Sequence, residues 1–229
     1  FPALSEKRRQ HTDNQSCKKA DRRIRITIEQ KSQQPGYPKK PCAKADQNRQ
    51  KHFCMLFKHL KYRELPLEQV ESELLRVRQA GGNPKTVFLG DGSAFQLSAE
   101  RLLRILELVH RYFPGCTAVN MDATVPSILE KTDKELSALA RAGVSHLYLG
   151  IESGLDDVLA LINKGHTMAQ ACEAIERLKR AGMIYDAHMM TGVAGRGRGE
   201  ENARAMALFY NRTSPGRIVN FSMFVHRDA

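Results

Sequence analysis

From Leu65 onward two hydrophobic periods take turns along the chain. Stretches with apolar residues three and four apart, the spacing that lines one face of a helix, alternate with short β-branched or aliphatic runs that suit buried strands. Pro66 fits the first turn of a helix through Val70, Leu74 and Val77 that stops at Gly81-Gly82, and Thr86-Val-Phe-Leu-Gly90 follows as a strand. Ser98 can cap a helix carrying Leu102, Leu103, Leu106 and Val109 inward and ending at Pro114-Gly115, before a strand Ala118-Val-Asn-Met121. Thr132-Asp-Lys-Glu135 is a capping box whose helix terminates at Gly143 and leads to His146-Leu-Tyr-Leu-Gly-Ile151. The grammar repeats at Thr167-Met-Ala-Gln170, with a helix to Gly182 and a strand from Ile184 to Met190, and again as a helix from Glu200 to Tyr210 before a strand from Arg217 to Phe224.

Strand starts recur about every 30 to 40 residues, the length of one strand-plus-helix unit, which predicts parallel pairing. With Ile24-Arg-Ile-Thr-Ile28 as a first strand the count is six. The expected fold class is therefore α/β, an open (β/α)6 three-quarter barrel with a parallel sheet, and a doubly wound sheet is the alternative. In either architecture the C-terminal strand ends form the functional rim. Here those ends carry Gly90-Asp91-Gly92, Asn120 and Asp122, Glu152-Ser153, His188 with Thr191-Gly192, and Asn220 with Ser222.

Charge divides the 229 residues into two parts. Residues 1–64 hold 17 Lys/Arg against 6 Asp/Glu, which accounts for the whole formal charge of +11, and the remainder has 19 of each sign. We read residues 1–52 as a basic, polar N-terminal segment and 53–229 as the globular body. Three readings of the head stay open: a nucleic-acid arm acting through phosphate neutralisation, a disordered tail, or a segment foreign to the body, as after a frame change or a recombined gene. The nucleic-acid reading is not favoured, because the head lacks aromatic interleaving and any recognised RNA-binding motif. Five cysteines without regular pairing, and no apolar run near the ~18 residues of a membrane span, predict a soluble, cytoplasmic protein with no membrane partner. The chain begins at Phe1 and stops just after a strand-like segment, so both ends read as cuts.

Five segments in order, Phe-Leu-Gly-Asp-Gly92, Asn-Met-Asp-Ala-Thr124, Leu-Tyr-Leu-Gly-Ile-Glu-Ser-Gly154, Asn-Lys-Gly-His-Thr167 and Met-Thr-Gly-Val-Ala-Gly195, resemble the radical S-adenosylmethionine (SAM) superfamily, in its coproporphyrinogen oxidase-like and elongator-like branch. The resemblance runs from about Phe53 to Ala229. It implies a [4Fe-4S] cluster and SAM as cofactors, with SAM cleaved reductively to a 5′-deoxyadenosyl radical that takes hydrogen from a substrate the sequence does not name. It also implies a CxxxCxΦC cluster loop, Φ being aromatic. Phe53-Cys54 matches its last two positions, whereas Gln47 and Lys51 stand where the other two cysteines belong. The alternative is a cluster-less, inactive remnant of the same fold.

The resemblance further implies backbone contacts from Gly90, Asp91 and Gly92 to the amino group of SAM, and places Asp122, Glu152 and Ser153 among the groups around it. Lys164 falls near its carboxylate, Gly192 and Gly195 near the adenine, and His188 where relatives often carry an acid. Each residue also has an ordinary role: Cys54 a buried thiol, the glycines turns, the carboxylates acceptors for loop amides, Lys164 a solvated cation, and His188 a packed strand histidine.

Overall fold

The computed structural model describes residues 24–27, 64–90 and 92–222. Six strands, β1 (Ile24–Thr27), β2 (Thr86–Gly90), β3 (Ala118–Ala123), β4 (Val144–Glu152), β5 (Ile184–Thr191) and β6 (Arg217–Ser222), form one sheet in which every pairing is parallel and spatial order follows chain order. That order excludes the doubly wound alternative, which needs a reversal of strand order. Right-handed crossovers, the rule between sequential parallel strands, put the long helices on the same face, and the twisted sheet curls away from that layer as an open partial barrel.

The helices are α1 (Leu67–Gln79), α2 (Ala99–Tyr112), α3 (Val125–Leu129), α4 (Asp133–Arg141), α5 (Asp156–Leu161), α6 (Met168–Ala181) and α7 (Gly199–Thr213). Ser98 accepts from the Arg101 amide at the start of α2, and capping boxes close α4 at Thr132/Glu135 and α6 at Thr167/Gln170, as their sequences predict. Helix stripes such as Leu102, Ile105, Leu106 and Val109, or Ala171, Ala174, Ile175 and Leu178, pack on Val87, Leu89, Val119, Met121, Leu147, Leu149 and Ala187, all fully buried or nearly so. Two short helices, α3 and α5, and a 3-10 turn at Ala94–Gln96 lie in the loops above the strand ends, where no sustained period predicts them. Lys131 ties two of these loops together, its Nζ donating to the Phe95 carbonyl at 2.6 Å and the Ser127 carbonyl at 3.2 Å.

Strand alternation divides the sheet into unlike faces. Along β4, Leu147, Leu149 and Ile151 are sealed against helices, while His146, Tyr148, Gly150 and Glu152 on the concave face stay half-buried. A closed eight-stranded barrel fills its interior with apolar layers. This interior is polar and aromatic, and solvent reaches it even at a central strand.

Candidate functional site

The strand ends hold a built site around Glu152. β4 breaks register between Gly150 and Glu152, Glu152 adopts φ 65°, and the Ser153 amide donates to the Ile151 carbonyl at 2.9 Å. A left-handed conformation at a non-glycine residue costs on the order of 1–2 kcal/mol, and a bulge of this kind re-aims a side chain. The carboxylate meets Lys164, with Nζ 3.0 Å from Oε1 and both side chains at least three-quarters buried. Lys164 is aimed by the end of α5: Asn163 takes φ 57° and the Lys164 amide donates to the Leu159 carbonyl at 3.0 Å, a Schellman-type reversal. Gly150 leaves room for this pair, since a Cβ there would sit 2.6 Å from Glu152 Oε1 and 2.8 Å from Lys164 Nζ.

Beneath Glu152 the turn is clamped by α7. Ser153 is fully buried, its hydroxyl donating to Asn202 Oδ1 at 2.8 Å and accepting from the Leu155 amide at 3.2 Å. The same Asn202 oxygen takes the Gly154 amide at 2.9 Å. Gly154 lies so close to α7 that a Cβ would stand 2.7 Å from Ala205 Cβ and 2.8 Å from the Met206 amide nitrogen. Ser153 thus reaches the rim only through the turn it holds.

The other expected residues fall as follows. Gly90 ends β2, buried, and Gly92 opens the turn towards Ala94; Asp91 and Cys54 lie outside the described residues. Asp122 is on the concave face of β3, in register with Tyr148. His188 sits lower on β5, level with Gly150, where its ring meets Tyr148 at 6.1 Å and Phe221 at 5.3 Å. Gly192 and Gly195 form the turn after β5, both at positive φ and joined by a 3.0 Å amide-to-carbonyl bond. In the basic loop that follows, Arg198 is spent on Asp157 and Glu201 and is not a spare cation. Glu152 and Lys164 are brought together; His188 belongs to the lumen below, together with His146, Tyr148 and Asp186, which the motif reading left out. So too did it leave out Asn202, whose only sequence signal is its position in the first turns of α7.

His166, two residues beyond Lys164, is buried; its Nδ1 contacts the Lys164 carbonyl at 3.2 Å and its Nε2 has no partner. Burial lowers its pKa below the ordinary value. On acidification the unfolded chain therefore binds the proton first, and the stability present above about pH 6.5 drains away as the pH falls below it. Urea midpoints at successive pH values are expected to show this decline in the native chain and a flatter profile in His166→Asn, whose amide can still donate to Lys164. An unchanged slope would show that His166 does not drive the effect.

The family model described as the Radical SAM superfamily matches residues 52–209. The chain belongs to the radical SAM superfamily. Among curated relatives, the heme chaperone HemW of Bacillus subtilis (strain 168) is 25% identical over 137 residues, covering 57% of this chain and 36% of that protein. Elongator complex protein 3 of Mus musculus is 32% identical over 80 residues, covering 35% and 14%. The chain thus matches about a third or less of these proteins' length. In fold it is similar to methylornithine synthase (PylB), with TM-score 0.59 and 15% identity over 90% of this chain and 54% of that one. The radical SAM coproporphyrinogen III oxidase HemN of Escherichia coli gives 0.57 and 15% over 68% and 36%. The methyltransferase TsrM of Kitasatospora setae, solved with cobalamin and a [4Fe-4S] cluster, gives 0.62 and 13% over 87% and 36%. Among the described residues no helix is long and apolar enough to cross a membrane.

Proposed function

We propose that the barrel, taken to span residues 53–229, binds SAM at its rim, with Lys164 as the group that holds its carboxylate. The single observation that carries this reading is the Glu152–Lys164 pair, 3.0 Å apart and largely withdrawn from water at the end of a central strand. One of the three ammonium donors is spent on Glu152, which orients the rest; a ligand carboxylate takes them as charge-assisted hydrogen bonds. Gly90, Asp91 and Gly92 offer backbone to the amino group, Asp122 a carboxylate to the ribose hydroxyls, and the turn at Gly192 and Gly195 a close backbone approach to the adenine. Ser153 positions Glu152, and His188 faces the space beneath. Bound there, SAM would bring its sulfonium to the rim, and its cleavage to the family's 5′-deoxyadenosyl radical would need the one electron that a [4Fe-4S] cluster supplies in that family.

The [4Fe-4S] cluster fits less well. Cys54 stands at the last position of the family's loop, but Gln47 and Lys51 hold the other two, and neither an amide nor an ammonium replaces a thiolate on iron. Among the described residues no three His, Cys, Asp or Glu gather as a metal site. Cys116 precedes β3 at the opposite end of the sheet, and Cys172 lies on α6. Cys17 and Cys42 lie outside the described residues and off the spacing of the family's loop, so that loop as it stands in this sequence does not fit the cluster. Gln47 and Lys51 instead favour a second reading, a barrel that keeps SAM and has lost cluster chemistry.

Equilibrium dialysis with labelled SAM tests the first reading. Lys164→Met is expected to weaken binding roughly ten- to hundredfold, and Glu152→Gln by less, because a buried charge-assisted bond is lost in the first and only its orientation in the second. Equal affinities in all three proteins overturn the assignment. Anaerobic reconstitution with iron and sulfide separates the two readings: stoichiometric iron with thiolate-to-iron absorption supports the radical enzyme, and its absence supports the cluster-less barrel.

A further inference from the structure

The lumen below the Glu152–Lys164 pair carries a second set of groups that SAM binding does not use. Phe88, Asn120 and His146 stand side by side in register on β2, β3 and β4, and one step higher Tyr148 is paired with Asp186 of β5. The His146 and Tyr148 rings stack, 5.2 Å apart and 5° from parallel, and Phe88 tilts towards Tyr148 across β3 at 5.6 Å. With His188 above, this is a wall of ring faces on the half-exposed concave side of the sheet.

Two acceptors in the wall are buried without a donor. Asn120 is 6% exposed and its Oδ1 has no hydrogen-bond partner. Asp186 is 1% exposed, and its Oδ1, although 2.9 Å from His146 Nε2, makes no hydrogen bond with it. Asn120 Oδ1 and Asp186 Oδ1 are thus two buried acceptors to which no donor is hydrogen-bonded. A buried acceptor with nothing to accept from is costly, and a ligand that brings hydrogens removes the cost.

We propose that this lumen wall binds a planar heteroaromatic group bearing N–H donors, stacked on Tyr148 and His146 and hydrogen-bonded to Asn120 and Asp186. The radical SAM reading makes such a ligand the substrate, held under the rim where a radical formed from SAM would meet it; binding itself does not depend on that reading. It is therefore measured on the full chain without SAM or reductant, so that loss of SAM binding at Lys164 and failure here are separate results.

The probes are 2-aminobenzimidazole, planar and donor-rich, and 2-methylbenzoxazole, a similar bicycle with acceptors only. Saturation-transfer NMR titrations are expected to show the first binding about tenfold or more tightly than the second, as expected for hydrogen bonds to buried acceptors. Asp186→Asn should weaken the first probe about tenfold, and Tyr148→Leu several-fold through the lost ring face. Circular-dichroism melts establish which variants fold; if Asp186→Asn does not, the Tyr148→Leu arm decides alone, since that half-buried side chain is not part of the helix-facing core. Equal binding of the two probes, no binding of either, or binding unaltered in every folded variant overturns the proposal.

Discussion

Asn202→Leu is expected to lower the unfolding free energy by about 2–5 kcal/mol, read from urea denaturation of native and variant chains. The side-chain oxygen of Asn202 accepts two bonds inside the protein, from the Ser153 hydroxyl and the Gly154 amide, and Asn202 is itself 5% exposed. Leucine keeps the volume but leaves the buried Ser153 hydroxyl and the half-buried Gly154 amide without an acceptor, at about 1–3 kcal/mol for the first and less for the second. Asn202→Asp retains an acceptor near the start of α7, where a negative charge is favourable, and should lose less. A leucine variant as stable as the native chain would falsify the clamp.

Gly154→Ala is expected to cost about 2–3 kcal/mol for a different reason. The added methyl meets Ala205 Cβ at 2.7 Å, the Met206 nitrogen at 2.8 Å and the Ala205 carbonyl carbon at 2.9 Å. These are helix backbone and its first side-chain atom, with no flexible end to swing aside, so α7 must shift away from the β4 turn. The same shift lengthens the Asn202 bonds. The double variant Gly154→Ala/Asn202→Leu should therefore cost less than the two changes added together. Strict additivity would show that the two contacts do not act as one joint. Both variants should also disturb SAM affinity through the Glu152 turn, which neither residue touches as a ligand.

Much of the frame was legible in linear pattern. The strands from Thr86, Ala118 and Ile184 and the caps at Ser98, Thr132 and Thr167 follow from interactions within a few residues: a hydroxyl reaching an amide three positions on, or alternation across one strand. The rim motifs were legible because a strand's end and the loop after it are contiguous in sequence. Short helices α3 and α5 escaped, since five or six residues hold too few turns for a period to register. The proposal that residues 1–52 are a separate segment rests on charge, while the structure draws Ile24–Thr27 from that head into the sheet beside β2.

Local chemistry along the chain thus settled which segments are helix or strand, that the strands run parallel, and which family the rim residues resemble. Long-range packing decided the rest. Glu152 and Lys164 are 12 residues apart, and their pairing needs the bulge of β4, the reversal after α5 and the bare backbone of Gly150 together. Asn202 reaches back 49 residues to Ser153, and His146 meets Asp186 because parallel strands lie in one register and not another. Such contacts leave no spacing rule in the sequence, because the path between the partners runs through independent elements whose relative placement is fixed only when the apolar face of the sheet closes on its helices.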